Sequence, residues 1–183
     1  MEPKLDVLSL LETLEDYVII RKSNMFPDYN LFDDLDIVCK DSEKNASSIT
    51  KYGKIYTDNG FNIRQTYQKN HLHLDFHYGT NPINFRFDFI DTIDHSPSVK
   101  VDNSFLDMVL ENKQKLYHQG LPYYVPSEEH EMMFRLLEYF DYPEKYRHLK
   151  YVRDRIQQYP EVLTSLKKYT DLDILRTHNL LRA

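Results

Sequence analysis

Residues 71–90 constrain the fold more tightly than any other stretch of the chain. His71-Leu72-His73-Leu74-Asp75-Phe76-His77-Tyr78 alternates strictly, with Leu72, Leu74, Phe76 and Tyr78 on one side and His73, Asp75 and His77 on the other. A period of two marks a strand with one buried face. Gly79-Thr80-Asn81-Pro82 supplies turn residues. Ile83 to Ile90 then alternates again, with Ile83, Phe85, Phe87 and Phe89 apolar. The two runs predict a β-hairpin with a greasy face and a chemically rich one. A four-residue turn sets His77 opposite Asn84, Asp75 opposite Arg86 and His73 opposite Asp88.

A second run, Asp33-Asp34-Leu35-Asp36-Ile37-Val38, reads as a buried strand carrying Asp34 and Asp36 on one face. Two carboxylates on one side of an apolar strand repel each other, and desolvating them is costly unless cations neutralise them. A two-metal phosphoryl or nucleotidyl transfer site needs that arrangement. A strand entered from an acidic turn shows the same residues. Asp88, in Phe87-Asp88-Phe89, is the third acid that can join them around Mg²⁺, with Asp75 oriented by Arg86. The polar face of the hairpin has two further readings. One is an ordinary solvated surface. The other is a zinc site on His73, His77 and an aspartate, but residues four apart on a strand lie about 13 Å apart, too far to share one ion with bonds of about 2 Å.

Arg21 ends a short apolar run, Tyr17-Val18-Ile19-Ile20, at the end of a strand where α/β sheets bind ligands. It suits either a phosphate clamp or a surface ion pair, and Ser23 stands two residues on. Lys145 and Lys150, in Glu138 to Lys150, are phosphate contacts or part of a solvated helix face. Cys39 sits in an apolar strand and is expected to be inert.

Composition narrows the classes. The 183 residues carry a formal charge of −6, which disfavours long nucleic acid as a partner. One cysteine excludes an intrachain disulfide and favours a reducing cytoplasm. Met1-Glu2-Pro3-Lys4-Leu5-Asp6 is not a basic-then-apolar leader, and no run reaches the roughly 20 apolar residues of a membrane span. With 4 glycines, and neither GxxxxGK[ST] nor GxGxxG, a glycine-rich phosphate cradle is excluded.

The remaining pattern predicts a helix over about 4–15, a strand at 17–20, the acidic strand at 35–40 and a helix from Asp41 or Ser42 to about Asn59, stopped by Gly60. A strand over 61–68 precedes the hairpin. Beyond residue 100 come a helix from Asp102 or Asn103 to His118, ended by Gly120, and a short strand over 121–125. Ser127-Glu128-Glu129-His130 opens a helix, Pro143 starts another, and Pro160 separates that one from a C-terminal helix. The class is α+β: a mixed or antiparallel sheet flanked by helices in a core over 1–125, with a helical extension over 126–183 packed on it.

With these residues in view, the chain resembles the DNA polymerase β-like nucleotidyltransferase superfamily in its small, stand-alone bacterial form. The shared pattern is a helix and strand, a loop, hDhDh (Asp34-Leu35-Asp36-Ile37) and a later hDh (Phe87-Asp88-Phe89). Tyr17 to Arg21, the hairpin, Arg135-Leu136-Leu137-Glu138-Tyr139 and Lys145-Tyr146-Arg147-His148 also look like members found near surface-polysaccharide genes. The resemblance implies Mg²⁺- or Mn²⁺-dependent transfer of NMP from an NTP to a small-molecule acceptor, plausibly a phosphorylated sugar or polyol. It makes Asp34, Asp36 and Asp88 the catalytic metal ligands and Arg21, Ser23, Lys145 and Lys150 the nucleotide contacts. Where members carry a Gly-Ser pair after the first strand, this chain has Arg21-Lys22-Ser23. That departure motivates the alternative of a catalytically degenerate, nucleotidyltransferase-like binding or antitoxin-type protein.

Overall fold

The structure, a computed structural model, describes residues 3–69, 71–80, 82–93 and 98–182. Their contacts divide into two compact units: 1–92 with 113–125, and 93–112 with 126–183. Among the described residues no helix is long and apolar enough to cross a membrane.

The first unit is built on five strands: β1 (Tyr17–Arg21), β2 (Asp33–Cys39), β3 (Phe61–Gln68), β4 (His71–Tyr78) and β5 (Phe85–Ile90). Their order across the sheet is β1-β2-β5-β4-β3, and only the central β2–β5 pair is parallel. The sheet is therefore mixed and flanked by helices, as the α+β reading requires. Parallel neighbours need a long crossover, here the intervening helices and strands β3 and β4. Alternate residues Leu35, Ile37, Phe85, Phe87, Phe89, Leu72, Leu74 and Phe76 fill one face of the sheet and join the core with Leu8, Leu11, Ala46 and Ile49 of the helices. Phe87 lies at the centre of this face, with ring contacts to Phe76, Phe85 and Phe89. Each such buried aromatic removes apolar surface worth roughly 1.5–3 kcal/mol.

The hairpin register matches the sequence reading at Asp75–Arg86 and His73–Asp88. Its ladder closes where the Phe76 carbonyl accepts from Asn84 N and the Asn84 side chain accepts from Tyr78 N. Of the expected turn residues, Asn81 lies outside the described residues.

Several elements differ from the sequence expectation. The first helix is only α1 (Val7–Leu11), capped by Asp6, whose side chain accepts from Ser9 N. The flanking Leu5 and Leu14 are buried without being helical, because the core selects their greasiness and not their backbone. The expected helix to Asn59 is two, α2 (Ser42–Tyr52) and α3 (Lys54–Asp58), divided at Gly53. A Cβ there would sit 2.7 Å from the Ile49 carbonyl oxygen and 3.1 Å from Ile63, so the close approach needs glycine.

The helix expected to run to His118 stops early as α4 (Ser104–Glu111); Gln114 to His118 is instead strand β6 (Gln114–His118), paired with β7 (Leu121–Val125). Gln119 and Gly120 both have positive φ, the requirement of a two-residue type I′ hairpin turn. Gly120 is thus a turn glycine and not a helix stop. The hairpin contributes Tyr123 to the core of the first unit, and Tyr124 meets Tyr17 edge-on.

The second unit holds α4, α5 (Glu128–Asp141), α6 (Tyr146–Arg153), α7 (Val162–Lys167) and α8 (Ile174–Arg182). Residues 93–112, assigned by sequence to the N-terminal core, make contacts here. Val101 bridges to Thr170, Asp102 N donates to the Tyr169 carbonyl, and Phe105 packs on Phe134 and Tyr169. After Pro160 there are two helices instead of one, because the Val101–Thr170 bridge holds extended backbone between them.

His130, in the first turn of α5, is buried and its Nδ1 has no hydrogen-bond partner among the described residues. Burial pushes its imidazole below the ordinary range, against a smaller opposing pull from Glu129. The unfolded chain then takes up a proton as pH falls through about 6.5 while the folded state resists it, so stability drops on acidification. His130→Leu should therefore lose less melting temperature than wild type between about pH 7.5 and about pH 5.5, read by thermal unfolding. Equal losses would show that His130 titrates alike in both states.

Candidate functional site

The face of the sheet opposite the phenylalanines is polar, and register organises it into two rows. Arg21, Asp36, Asp88, His73 and Thr66 follow one another across β1, β2, β5, β4 and β3. One pleat away run Asp34, Arg86, Asp75 and Arg64. Strand neighbours are about 4.8 Å apart, so Asp36 and Asp88 are adjacent like charges. Both are buried, at 5% and 9% exposure, whereas Asp34 is exposed.

Burial of adjacent carboxylates demands compensation, and each has a hydrogen-bonding partner of its own. Arg21 Nη1 lies 2.9 Å from an Asp36 oxygen. A register shift between Ile19 and Arg21 in β1 brings Arg21 opposite Asp36. On the other side, His71 Nδ1 lies 3.0 and 3.1 Å from the two Asp88 oxygens, and His73 Nε2 lies 3.5 Å from one of them. The hydrogen bond to Asp88 pushes the His71 imidazole above its ordinary range. Burial pushes that of His73 below. The pair is thus a half-exposed imidazole favouring its proton and a buried one favouring the neutral form.

In the second row Arg86 grips Asp75 with two bonds, Nε to Oδ1 at 2.6 Å and Nη2 to Oδ2 at 3.0 Å. The orientation of Asp75 by Arg86 is as the sequence suggested. Because Asp75 is 5% exposed, this is a structural charge pair.

Compared with protein-family models, curated proteins and solved structures, the chain matches none of them. The chemistry of the site is therefore argued from its own residues.

Of the residues expected to form a metal and nucleotide site, the sheet brings Arg21, Asp36 and Asp88 into one row and sets Asp34 on the same face. The side-chain oxygens of Asp34, Asp36 and Asp88 do not converge; among the described residues the convergent metal-ligating group is His71, His73 and Asp88. Asp36 instead faces Arg21, and Asp88 faces His71. Ser23 is engaged in its own loop, where its Oγ accepts from Met25 N at 3.2 Å. Lys145 and Lys150 belong to the second unit. There the Lys145 ammonium sits 4.3 Å from the centre of the Tyr142 ring and Lys150 pairs with Asp154 at 2.8 Å. Burial pushes the Cys39 thiol up, consistent with an inert side chain.

His71 is the residue that sequence reasoning missed. Strand parity alone puts it on the face of His73, two residues along. Lys22, also unassigned by sequence, lies over the Phe26 and Tyr123 rings at 5.1 and 5.5 Å.

Arg86→Ala would strand the buried Asp75 carboxylate. Removing one partner of a buried pair costs about 3–5 kcal/mol, and the partial exposure of Arg86 lowers the expectation to about 2–3 kcal/mol. Urea unfolding of the variant measures it; a change within experimental error would mean that water already screens Asp75.

Proposed function

We propose that the chain is a cytoplasmic, metal-dependent nucleotidyltransferase that transfers NMP from an NTP to a small-molecule acceptor, plausibly a phosphorylated sugar or polyol in surface-glycan metabolism. The observation that carries the reading is the in-register adjacency of Asp36 and Asp88 on neighbouring parallel strands, with Asp34 one pleat away on the same face. Three carboxylates on one side of a sheet supply oxygen ligands of the kind Mg²⁺ prefers, and they would have to turn from their present partners to share an ion. That set fits the metal chemically, and the present ion pairs mark where positive charge is required.

In this reading Asp34, Asp36 and Asp88 would hold Mg²⁺ or Mn²⁺, and the metal would supply charge stabilisation for the attacking and leaving oxygens. An acceptor hydroxyl attacks the α-phosphorus, a new P–O bond forms, and the bond to pyrophosphate breaks. Asp88 receives the hydroxyl proton. Arg21, released from Asp36, turns its guanidinium to the departing phosphates, taking the place of the missing Gly-Ser loop. Ser23, in the same unit as Arg21, is a further phosphate contact. The net negative charge suits a small acceptor better than a long nucleic acid.

The second reading, a nucleotidyltransferase-like binding or antitoxin-type protein without turnover, draws on the same ion pair. Arg21 on Asp36 at 2.9 Å gives the pair a stable resting state that needs no metal.

Thermal unfolding with NTP and Mg²⁺ separates the two, together with pyrophosphate release across an NTP and acceptor panel. A working site at 100 times its dissociation constant gains about 2.7 kcal/mol, and Asp36→Asn should abolish that gain. Binding without pyrophosphate release from any acceptor would favour the degenerate form. Wild type and Asp36→Asn melting alike with and without ligand would remove the nucleotide site altogether.

A further inference from the structure

We propose that His71, His73 and Asp88 form a binding site for a nitrogen-preferring divalent transition metal such as Zn²⁺, distinct in chemistry from the all-oxygen site proposed for Mg²⁺ and not dependent on it. The alternation of β4 puts the two imidazoles on the polar face, and the β4–β5 register sets Asp88 directly opposite His73. The sheet backbone, not a flexible loop, therefore positions all three.

One atom from each residue, counting an imidazole nitrogen from either histidine and a carboxylate oxygen, forms a group whose members all lie within 4.8 Å of one another. Two of the separations involve Asp88 Oδ1: 3.0 Å to His71 Nδ1 and 3.5 Å to His73 Nε2. Bonds of about 2.0–2.2 Å around a tetrahedral ion hold their ligands about 3.3–3.6 Å apart. The His73 separation already falls in that range, and the His71 separation lies about 0.3 Å below it. The rings stand at 90° with centroids 6.2 Å apart, so they approach the carboxylate from different directions instead of stacking.

Ligand type then selects the ion. Two nitrogens and one oxygen suit Zn²⁺, Co²⁺ or Fe²⁺, whereas Mg²⁺ and Ca²⁺ take oxygen ligands. Three protein ligands leave a coordination position for water or a substrate oxygen, the pattern of a reactive site and not of a closed structural one. His71, with 40% of its side chain exposed, borders the route by which an ion enters, while His73 at 8% is held in place by the sheet. The same three side chains also form a plain hydrogen-bonded cluster, and that is the outcome to be excluded.

Co²⁺ is the probe, because its visible absorption reports low coordination number and nitrogen ligation. Titration of the full chain with Co²⁺ alone should reach one equivalent with the strong bands of a four- or five-coordinate ion, displaced by Zn²⁺. His71→Ala and His73→Ala should each weaken binding about tenfold or more. The partly exposed His71 keeps the test decisive if the buried His73 variant fails to fold. Asp34→Asn should leave Co²⁺ binding unchanged while removing the NTP–Mg²⁺ stabilisation, so that the two sites fail separately. No stoichiometric uptake, a weak octahedral spectrum, or binding undiminished in His71→Ala would overturn the proposal.

Discussion

The parallel ladder between β2 and β5 is the constraint on which the rest of the structure depends. It sets Asp36 beside Asp88 and, through the same register, Leu35 beside Phe87 and Ile37 beside Phe89. One pairing therefore builds the centre of the core and the centre of the charged face together. Slipping it by one residue would turn the phenylalanines to the polar side and the acids into the core. The apolar face thus enforces the placement of the charges. The burial of Phe85, Phe87 and Phe89 offsets the cost of holding two carboxylates next to each other.

The charged face is balanced strand by strand. Arg21, Asp36, Asp88 and His73 lie in a row, and Asp34, Arg86, Asp75 and Arg64 lie in the next. Opposite charges or hydrogen-bonding imidazoles meet the buried acids across the β1–β2 and β5–β4 boundaries, while the central β2–β5 boundary sets Asp36 beside Asp88. Such rows reward ligands that can replace a cation already present. In the proposed reading a metal ion arriving at Asp36 or Asp88 would exchange with a partner already present, and would not meet a bare pair of charges. Affinity then depends on the difference between the incoming ion and Arg21 or His71, which makes ligand selectivity a property of the whole row.

The histidines divide the labour. In the two proposals Asp88 would serve both the oxygen ligands with Asp34 and Asp36 and the nitrogen-rich group with His71 and His73. A carboxylate with two oxygens can serve both, and His71 touches both of them in the present arrangement. Asp75, by contrast, has its oxygens committed to Arg86 and serves to lock β4 to β5 beneath the site.

Much of this was legible in the residues. Period-two alternation revealed the hairpin, its register and the sidedness of Asp34, Asp36 and Asp88, because side-chain parity is a local property of a strand. The same parity places His71, two residues before His73, on that face. Helix limits were less legible: the crowding by Ile49 and Ile63 that requires glycine at position 53, between α2 and α3, is tertiary, and Gly120 turns a hairpin only because β6 finds β7. What no local pattern carries is the choice of strand neighbours. That β2 lies between β1 and β5, that Arg21 reaches Asp36 across a bulge, and that residues 93–112 join the C-terminal helices were decided by tertiary contacts. The sequence by itself determined which residues are apolar or charged and which face of a strand they take. Only the folded sheet decided which charges stand next to one another, since that follows from burial of the opposite face across segments distant in the chain.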